Sequence, residues 1–247
     1  MIRLENGLLK FDMEDITLDK RTGLPKKISG HAFVDIAGFN PYTKKGDAVI
    51  DLLKLLPSQP IDEFYTNRGE IAEQIVKESY KKKYGEPSGY VTFNKKEVDY
   101  DNFKNTSQYF GGLIDGIFQN FIIVEVKSKN IKKKTEIEKE GCLYEQLQAE
   151  FYTVLSNLNN YNMCWVFFND RLEDLIKNHQ PLDHIDIKEV EIVQKSYEAD
   201  YETMIPLMKG VLNYYVNCYN TLSIPFADIS QKYRERLKKE KGLIFYG

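Results

Sequence analysis

Cysteine is scarce: the three residues, Cys142, Cys164 and Cys218, are odd in number and far apart. That excludes a disulfide framework and a metal-finger spacing, and suits a reducing compartment. Long apolar runs are missing too. Stretches such as "MCWVFF" at 163–168 are far too short to cross a bilayer, and "MIRLENGLLKF" at the start lacks the apolar segment of a signal peptide. The expectation is a soluble, intracellular protein with no membrane partner. Histidine is rare, and His31, His179 and His184 make no transition-metal set. Positive charge is not in excess: the formal net charge is −3, so any contact with nucleic acid must come from local basic patches. No internal repeat, low-complexity segment or Pro/Gly/Ser-rich linker divides the chain.

What is present is enough for a sizeable core, since 42% of the 247 residues are hydrophobic and 13% aromatic. Residues 7–19 alternate loosely and suggest a strand. "GHAFVDIAG" reads as a short helix stopped by Gly38, and a second helix follows "NPYTKKGD" and ends before Pro57. From Asp62 to about Tyr80 the apolar stripe Ile71, Ala72, Ile75 and Val76 predicts a longer helix. Residues 90–128 are strand-like. Leu143, Leu147, Phe151, Val154 and Leu158 fall at helical spacing, "MCWVFF" reads as a buried strand, and "DIKEVEIVQ" at 186–194 alternates like an edge strand. From about Tyr197 the chain looks mostly helical, with a break near Pro225. Strands followed by a helix and another strand predict an α/β fold with a mixed central sheet flanked by helices. Three basic runs, at 80–85, 127–134 and 234–241, read first of all as solvated faces.

"GGLIDGIFQNFIIVEVKSKN" at 111–130 is the unusual stretch. It sets Asp115, Glu125 and Lys127 among apolar residues of strand-like composition. Glu125 and Lys127 are two apart and so share a face. A two-residue turn at Gln119–Asn120 would set Asp115 opposite Val124, on the other face; an odd-numbered loop or a bulge brings it to the face of Glu125. Two adjacent carboxylates repel unless a cation sits between them, and hard oxygen ligands of this kind suit Mg²⁺ or Mn²⁺. A neighbouring lysine would orient water and steady charge on a phosphate. From the hairpin alone, a solvated strand face and a phosphodiesterase site stand level.

The surrounding motifs shift that balance. "NRGEIAEQIV" carries Arg68-Gly69-x-x-x-Glu73; Asp115-Gly116, "EVK" at 125–127 and "YEQLQAE" at 144–150 follow in order. This order resembles the PD-(D/E)XK nuclease superfamily, and within it the phage recombination exonucleases of the lambda exonuclease and YqaJ type. "ISGHAFVDIAGFNPYTKKGD" is similar to the N-terminal signature of that group. The resemblance spans about residues 28 to 168.

It implies that Glu73, Asp115 and Glu125, with the Val126 carbonyl, ligate Mg²⁺ or Mn²⁺, as two ions. It further implies that Lys127 positions and activates the water and that Gln146 sits beside the site, holding the lysine or the substrate. Arg68, with Lys129, Lys132 and Lys133 of the basic run, would contact DNA phosphates. His31 falls near a family serine that helps bind a terminal phosphate, and Leu143 replaces the aromatic that precedes the glutamine.

The resulting expectation is one domain over 1–247, with a core at about 28–170 and a C-terminal strand and helical extension at about 185–247. It would be a divalent-metal-dependent deoxyribonuclease, an exonuclease resecting linear duplex ends for recombination. By family likeness it would form a homo-oligomeric ring, work with a single-strand annealing protein and, if phage-encoded, act in the cytoplasm of a bacterial host. A restriction- or defence-type endonuclease with the same core is the alternative enzyme, and a non-catalytic nucleic-acid-binding module the alternative from another class.

Overall fold

The computed structural model describes residues 2–19, 22–178 and 189–243. His179 and His184, and the first residues of the stretch 186–194, lie outside them. The chain separates into two compact units. One comprises Met1–Gln59, Phe103–Gly112 and Glu202–Gly247, the other Pro60–Asn102 and Leu113–Tyr201.

In the first unit, β1 (Arg3–Glu5) and β2 (Leu8–Lys10) pair antiparallel, and β8 (Ser223–Pro225) adds a third strand beside β2. The single strand expected over 7–19 is thus a hairpin arm of three residues. Asn6 and Gly7 turn the chain at φ 51° and 74°, and past Lys10 it enters a short 3₁₀ turn at Met13–Asp15. Helix α1 (Gly30–Ala37) starts where the Ser29 hydroxyl accepts the Ala32 N–H, and stops at Gly38, whose φ of 83° is left-handed. Helix α2 (Lys45–Leu53) follows, and α7 (Tyr201–Asn220) and α8 (Gln231–Lys241) supply the C-terminal helices on either side of Pro225.

The second unit is built on a five-stranded sheet in the order β3 (Tyr90–Val91), β4 (Gly116–Phe118), β5 (Ile122–Asn130), β6 (Asn160–Phe168), β7 (Glu191–Glu198). Only β5 and β6 run parallel, so the sheet is mixed. Their crossover carries α4 (Lys134–Glu140) and α5 (Leu143–Leu155), as a parallel connection requires. Strand β6 is apolar because it is covered on both sides: Trp165, Val166, Phe167 and Phe168 are fully buried. On one face Val124, Val126, Cys164, Val166 and Phe168 meet Ile71, Ala72, Ile75 and Val76 of α3 (Glu63–Tyr84) and Leu172 and Ile176 of α6 (Asp170–Lys177). Each such aliphatic group contributes about 1.5–3 kcal/mol by leaving water.

Helix α3 begins at Asp62, whose carboxylate accepts the Phe64 N–H, and ends in Lys81, Lys82 and Lys83, which complement the carbonyl end of the helix. Most of the basic run at 80–85 is therefore a helix terminus. Residues 90–128 are not strand throughout. Between β3 and β4 the polar stretch "NKKEVDYDN" at 94–102 turns repeatedly, with Asp99 and Tyr100 at φ 53° and 61°, because Asn and Asp side chains offer the backbone local partners that compete with a ladder.

Candidate active site

The β4–β5 hairpin fixes the geometry. Phe118 pairs with Ile122, Ile117 with Ile123 and Gly116 with Val124, leaving Gln119, Asn120 and Phe121 as a three-residue loop. Gln119 and Asn120 adopt φ of 52° and 65° to close it. The odd length carries the register on to set Asp115 against Glu125, which is the arrangement a shared site requires. Asp115 Oδ2 accepts the Val126 backbone N–H at 2.7 Å, so the acid caps the end of the ladder.

Glu125 and Lys127 point to the side on which α5 lies. Lys127 Nζ donates to Glu125 Oε1 at 2.7 Å, and the Gln148 amide nitrogen donates to the same oxygen at 2.8 Å. The Gln148 carbonyl in turn accepts from Lys127 Nζ at 3.1 Å. Glu125 is 2% exposed, and among the described residues its second oxygen, Oε2, has no hydrogen-bond partner. A buried carboxylate oxygen with nothing to bind costs free energy unless a cation completes it.

The electrostatics fit that reading. Burial and then the Asp115 charge push Glu73 of α3 up to about 7. Burial pushes Glu125 up to about 8, with Asp115 adding to the rise and Lys127 opposing it. Asp115 is raised by burial against the pull of Lys127. Burial works against the charge of Lys127, but Glu125 and Asp115 outweigh it and hold the ammonium protonated. Three buried carboxyls that resist ionising together beside one fixed cation make a place where full ionisation calls for further positive charge. Among the described residues no three His, Cys, Asp or Glu side chains converge closely enough to hold a metal ion as they stand. The fit to a hard divalent cation rests instead on oxygen donors and the orphaned Oε2. Val126 contributes its N–H to Asp115.

Other expected residues are placed differently. Gln146 is corrected: its amide donates to the Tyr197 hydroxyl at 2.6 Å, and the glutamine that holds the lysine is Gln148. The two are separated by about 200° around a helix, so only one of them meets the acids. Arg68 is not an exposed phosphate contact. Its guanidinium, 12% exposed, pairs with Glu173 at 2.5 Å and donates to the hydroxyl and carbonyl of Ser128. Lys129 is held by buried Glu145 at 2.5 Å, and Trp165 donates to the other oxygen of that acid. Lys132 pairs with Asp170 and Lys133 with Glu136, both in exposed positions where such pairs are weak and exchangeable. His31, in the first unit, is exposed on α1, 3.4 Å from Asp35.

Gln148, Glu145 and Glu173 carried no separate signal beyond the Gln-x-Gln spacing. Along β5 from Lys127, a cleft of about 800 Å³ is lined by Phe64, Tyr65, Arg68, Lys129, Lys133 and Lys177, among others.

Sheet order, flanking helices and hairpin together define a mixed α/β fold. Solved structures share it. The chain is similar to an alkaline exonuclease from Laribacter hongkongensis at 15% identity and TM-score 0.56, over 87% of this chain and 94% of that one. The complex of the same exonuclease with dAMP superposes with TM-score 0.57 at 15% identity, over 87% and 93% of the two chains. A phage-related exonuclease from Haemophilus somnus 129PT is similar at 17% identity and TM-score 0.53, over 80% and 95%. No family model and no curated protein matches the sequence.

Proposed function

We propose that the protein is a divalent-metal-dependent deoxyribonuclease that hydrolyses phosphodiesters in linear duplex DNA from its ends. The observation that carries this reading is the hairpin register, which sets Asp115 against Glu125 while Glu125 keeps one buried oxygen without a partner. Asp115, Glu125 and Glu73 would hold Mg²⁺ or Mn²⁺, as two ions, with the Val126 carbonyl as a further ligand. The cation supplies charge neutralisation at the phosphate and makes a nearby water more acidic.

The protein's own groups do the rest. Lys127 stays charged, so it serves as a donor that orients water and steadies the phosphate's growing negative charge, rather than as a base. Gln148 holds Lys127 and Glu125 in one arrangement, which limits the motion that would blur an in-line attack. Lys132 and Lys133 exchange their exposed carboxylate partners for DNA phosphates. Exonucleolytic polarity, a ring assembly, a single-strand annealing partner and a role in recombination follow from the family likeness and belong to the same proposal.

The test is nuclease activity with Mg²⁺ on linear and on covalently closed duplex DNA, for the wild type and for Lys127→Ala. Cleavage of the linear form alone, lost in the variant, supports the proposal. Cleavage of closed circles favours an endonuclease. DNA binding with no cleavage under any divalent cation favours a binding module.

A further inference from the structure

A second recess, of about 150 Å³, lies wholly within the first unit. Tyr109, Tyr215 and Tyr219 line it, with Leu24, Lys26 and Lys27. Its walls are pinned to one another. The Tyr215 hydroxyl donates to the Lys26 carbonyl at 3.2 Å, which ties α7 to the segment 24–27. The Ile28 N–H donates to the Tyr109 carbonyl at 2.8 Å, and the Gly111 N–H to the Ile28 carbonyl at 3.0 Å. Those bonds tie the same segment to the loop that carries Tyr109. Tyr215 and Tyr219 are four apart on α7 and so share one face of it.

Size, shape and charge define what the recess takes. Pockets for drug-sized ligands start at about 300 Å³, so this one admits a single ring-sized group. Leu24 and Tyr109 are left 40% and 42% exposed beside it, and apolar surface next to tyrosine faces favours a flat partner that stacks. The polar ends around it are unspent. Among the described residues, the hydroxyls of Tyr109 and Tyr219 and the side-chain amides of Gln108 and Asn220 make no hydrogen bond within the protein. An aliphatic side chain would cover those groups without matching them, whereas a planar ring with donors and acceptors on its edge answers both demands. Two lysines and, among the described residues, no acid line the recess, so the carrier of the ring is anionic. A nucleobase on a phosphate chain has the stacking face, the hydrogen-bonding edge and the charge together.

We propose that this recess holds an unpaired base of a DNA strand, with Tyr109 and Tyr219 as the stacking surfaces and Lys26 on the adjoining phosphate. The inference goes beyond the metal-dependent reading: the recess holds a strand without a cation and breaks no bond.

The test is fluorescence anisotropy of a labelled single-stranded thymidine oligonucleotide with the full-length protein in EDTA. The wild type is compared with Tyr109→Ala, Tyr219→Ala and Lys26→Ala, each checked by thermal melts. Tyr109 is exposed enough for its variant to report on the site even where Tyr219→Ala fails to fold. Each tyrosine variant should weaken Kd about five- to a hundredfold, and Lys26→Ala should reduce the slope of log affinity on log salt by about 0.7. On the wild type, a strand of the same length with abasic sites should bind as weakly as the intact strand binds the tyrosine variants. Equal affinity of the wild type and Tyr109→Ala, or of intact and abasic strands, would show that the strand is held elsewhere or by its phosphates alone and overturn the proposal. Binding of free thymidine monophosphate without binding of the oligonucleotide would make the recess a mononucleotide site, which also overturns it. A wild type that binds no oligonucleotide in EDTA yet cleaves DNA with Mg²⁺ would overturn this inference and leave the nuclease reading standing.

Discussion

Lys127 Nζ and Glu125 Oε1 stand 2.7 Å apart, and Gln148 touches both, donating to the acid and accepting from the lysine. The three groups form a closed hydrogen-bonded triangle with one carboxylate oxygen left over. Gln148→Ala opens the triangle and should lower kcat/KM about tenfold or more, with a small change in melting temperature. Gln146→Ala loses only the bond to Tyr197 and should cost about 1 kcal/mol of stability with activity kept. Paired kinetics and melts on the two variants separate the roles, and equal activity losses would contradict the assignment.

Proton linkage gives a second expectation. Glu73 and Glu125 titrate at about 7 and about 8 in the metal-free fold, against 4.5 ordinarily. The folded chain therefore holds protons that the unfolded chain has released. Their stabilising effect is full below pH 4.5 and is lost as pH rises through 7 and 8. Added Mg²⁺ must displace those protons, so its affinity should rise with pH across the same window and its binding should release protons. Melting curves from pH 6 to pH 9, about a unit either side of those values, should show the Mg²⁺-induced gain widening with pH. A gain independent of pH would contradict it.

The hairpin loop offers a geometric check. Deleting Asn120 shortens Gln119–Phe121 to two residues and moves Asp115 opposite Val124, on the other face of the sheet. Mg²⁺-dependent thermal stabilisation and nuclease activity should both disappear. Replacing Asn120 by glycine keeps the length and the positive φ and should preserve both.

Arg68 and Lys132 should part company under substitution. Arg68→Ala leaves Glu173, 12% exposed, without its cation and should cost about 3 kcal/mol of stability. Lys132→Ala breaks a solvent-screened pair that is 72% and 64% exposed and should leave the melting temperature essentially unchanged. In salt titrations of DNA binding, the second variant should lower the slope of log affinity by about one.

How much of this was legible in sequence depends on the distance between partners. The stop at Gly38, the α3 stripe and the apolar β6 are local patterns, and the structure reproduces them. Asp115, Glu125 and Lys127 were legible because a hairpin ties them within a dozen residues, and only the loop parity stayed open. Gln148 was confused with Gln146 because helical propensity treats them alike; the choice is made by the sheet that α5 lies on. Arg68 read as a phosphate contact because its partner Glu173 is 105 positions away, on a helix that the pattern reading did not find. Residues 92–115 were mistaken for strand because scattered Val, Tyr and Phe outweighed the turn chemistry of Asn94, Asp99 and Asn102.

The lysines of "KSKNIKKK" have a collective consequence. Lys127, Lys129, Lys132, Lys133 and Lys134 each stand beside a carboxylate, that of Lys127 on its own strand and the others drawn from neighbouring turns, helices or strands. Seen from more than a Debye length away the paired segment is nearly silent. On the proposed function it would therefore contribute little to drawing DNA in from a distance. Its attraction would switch on at contact, when a phosphate displaces an acid from a lysine, and discrimination would fall on the act of seating.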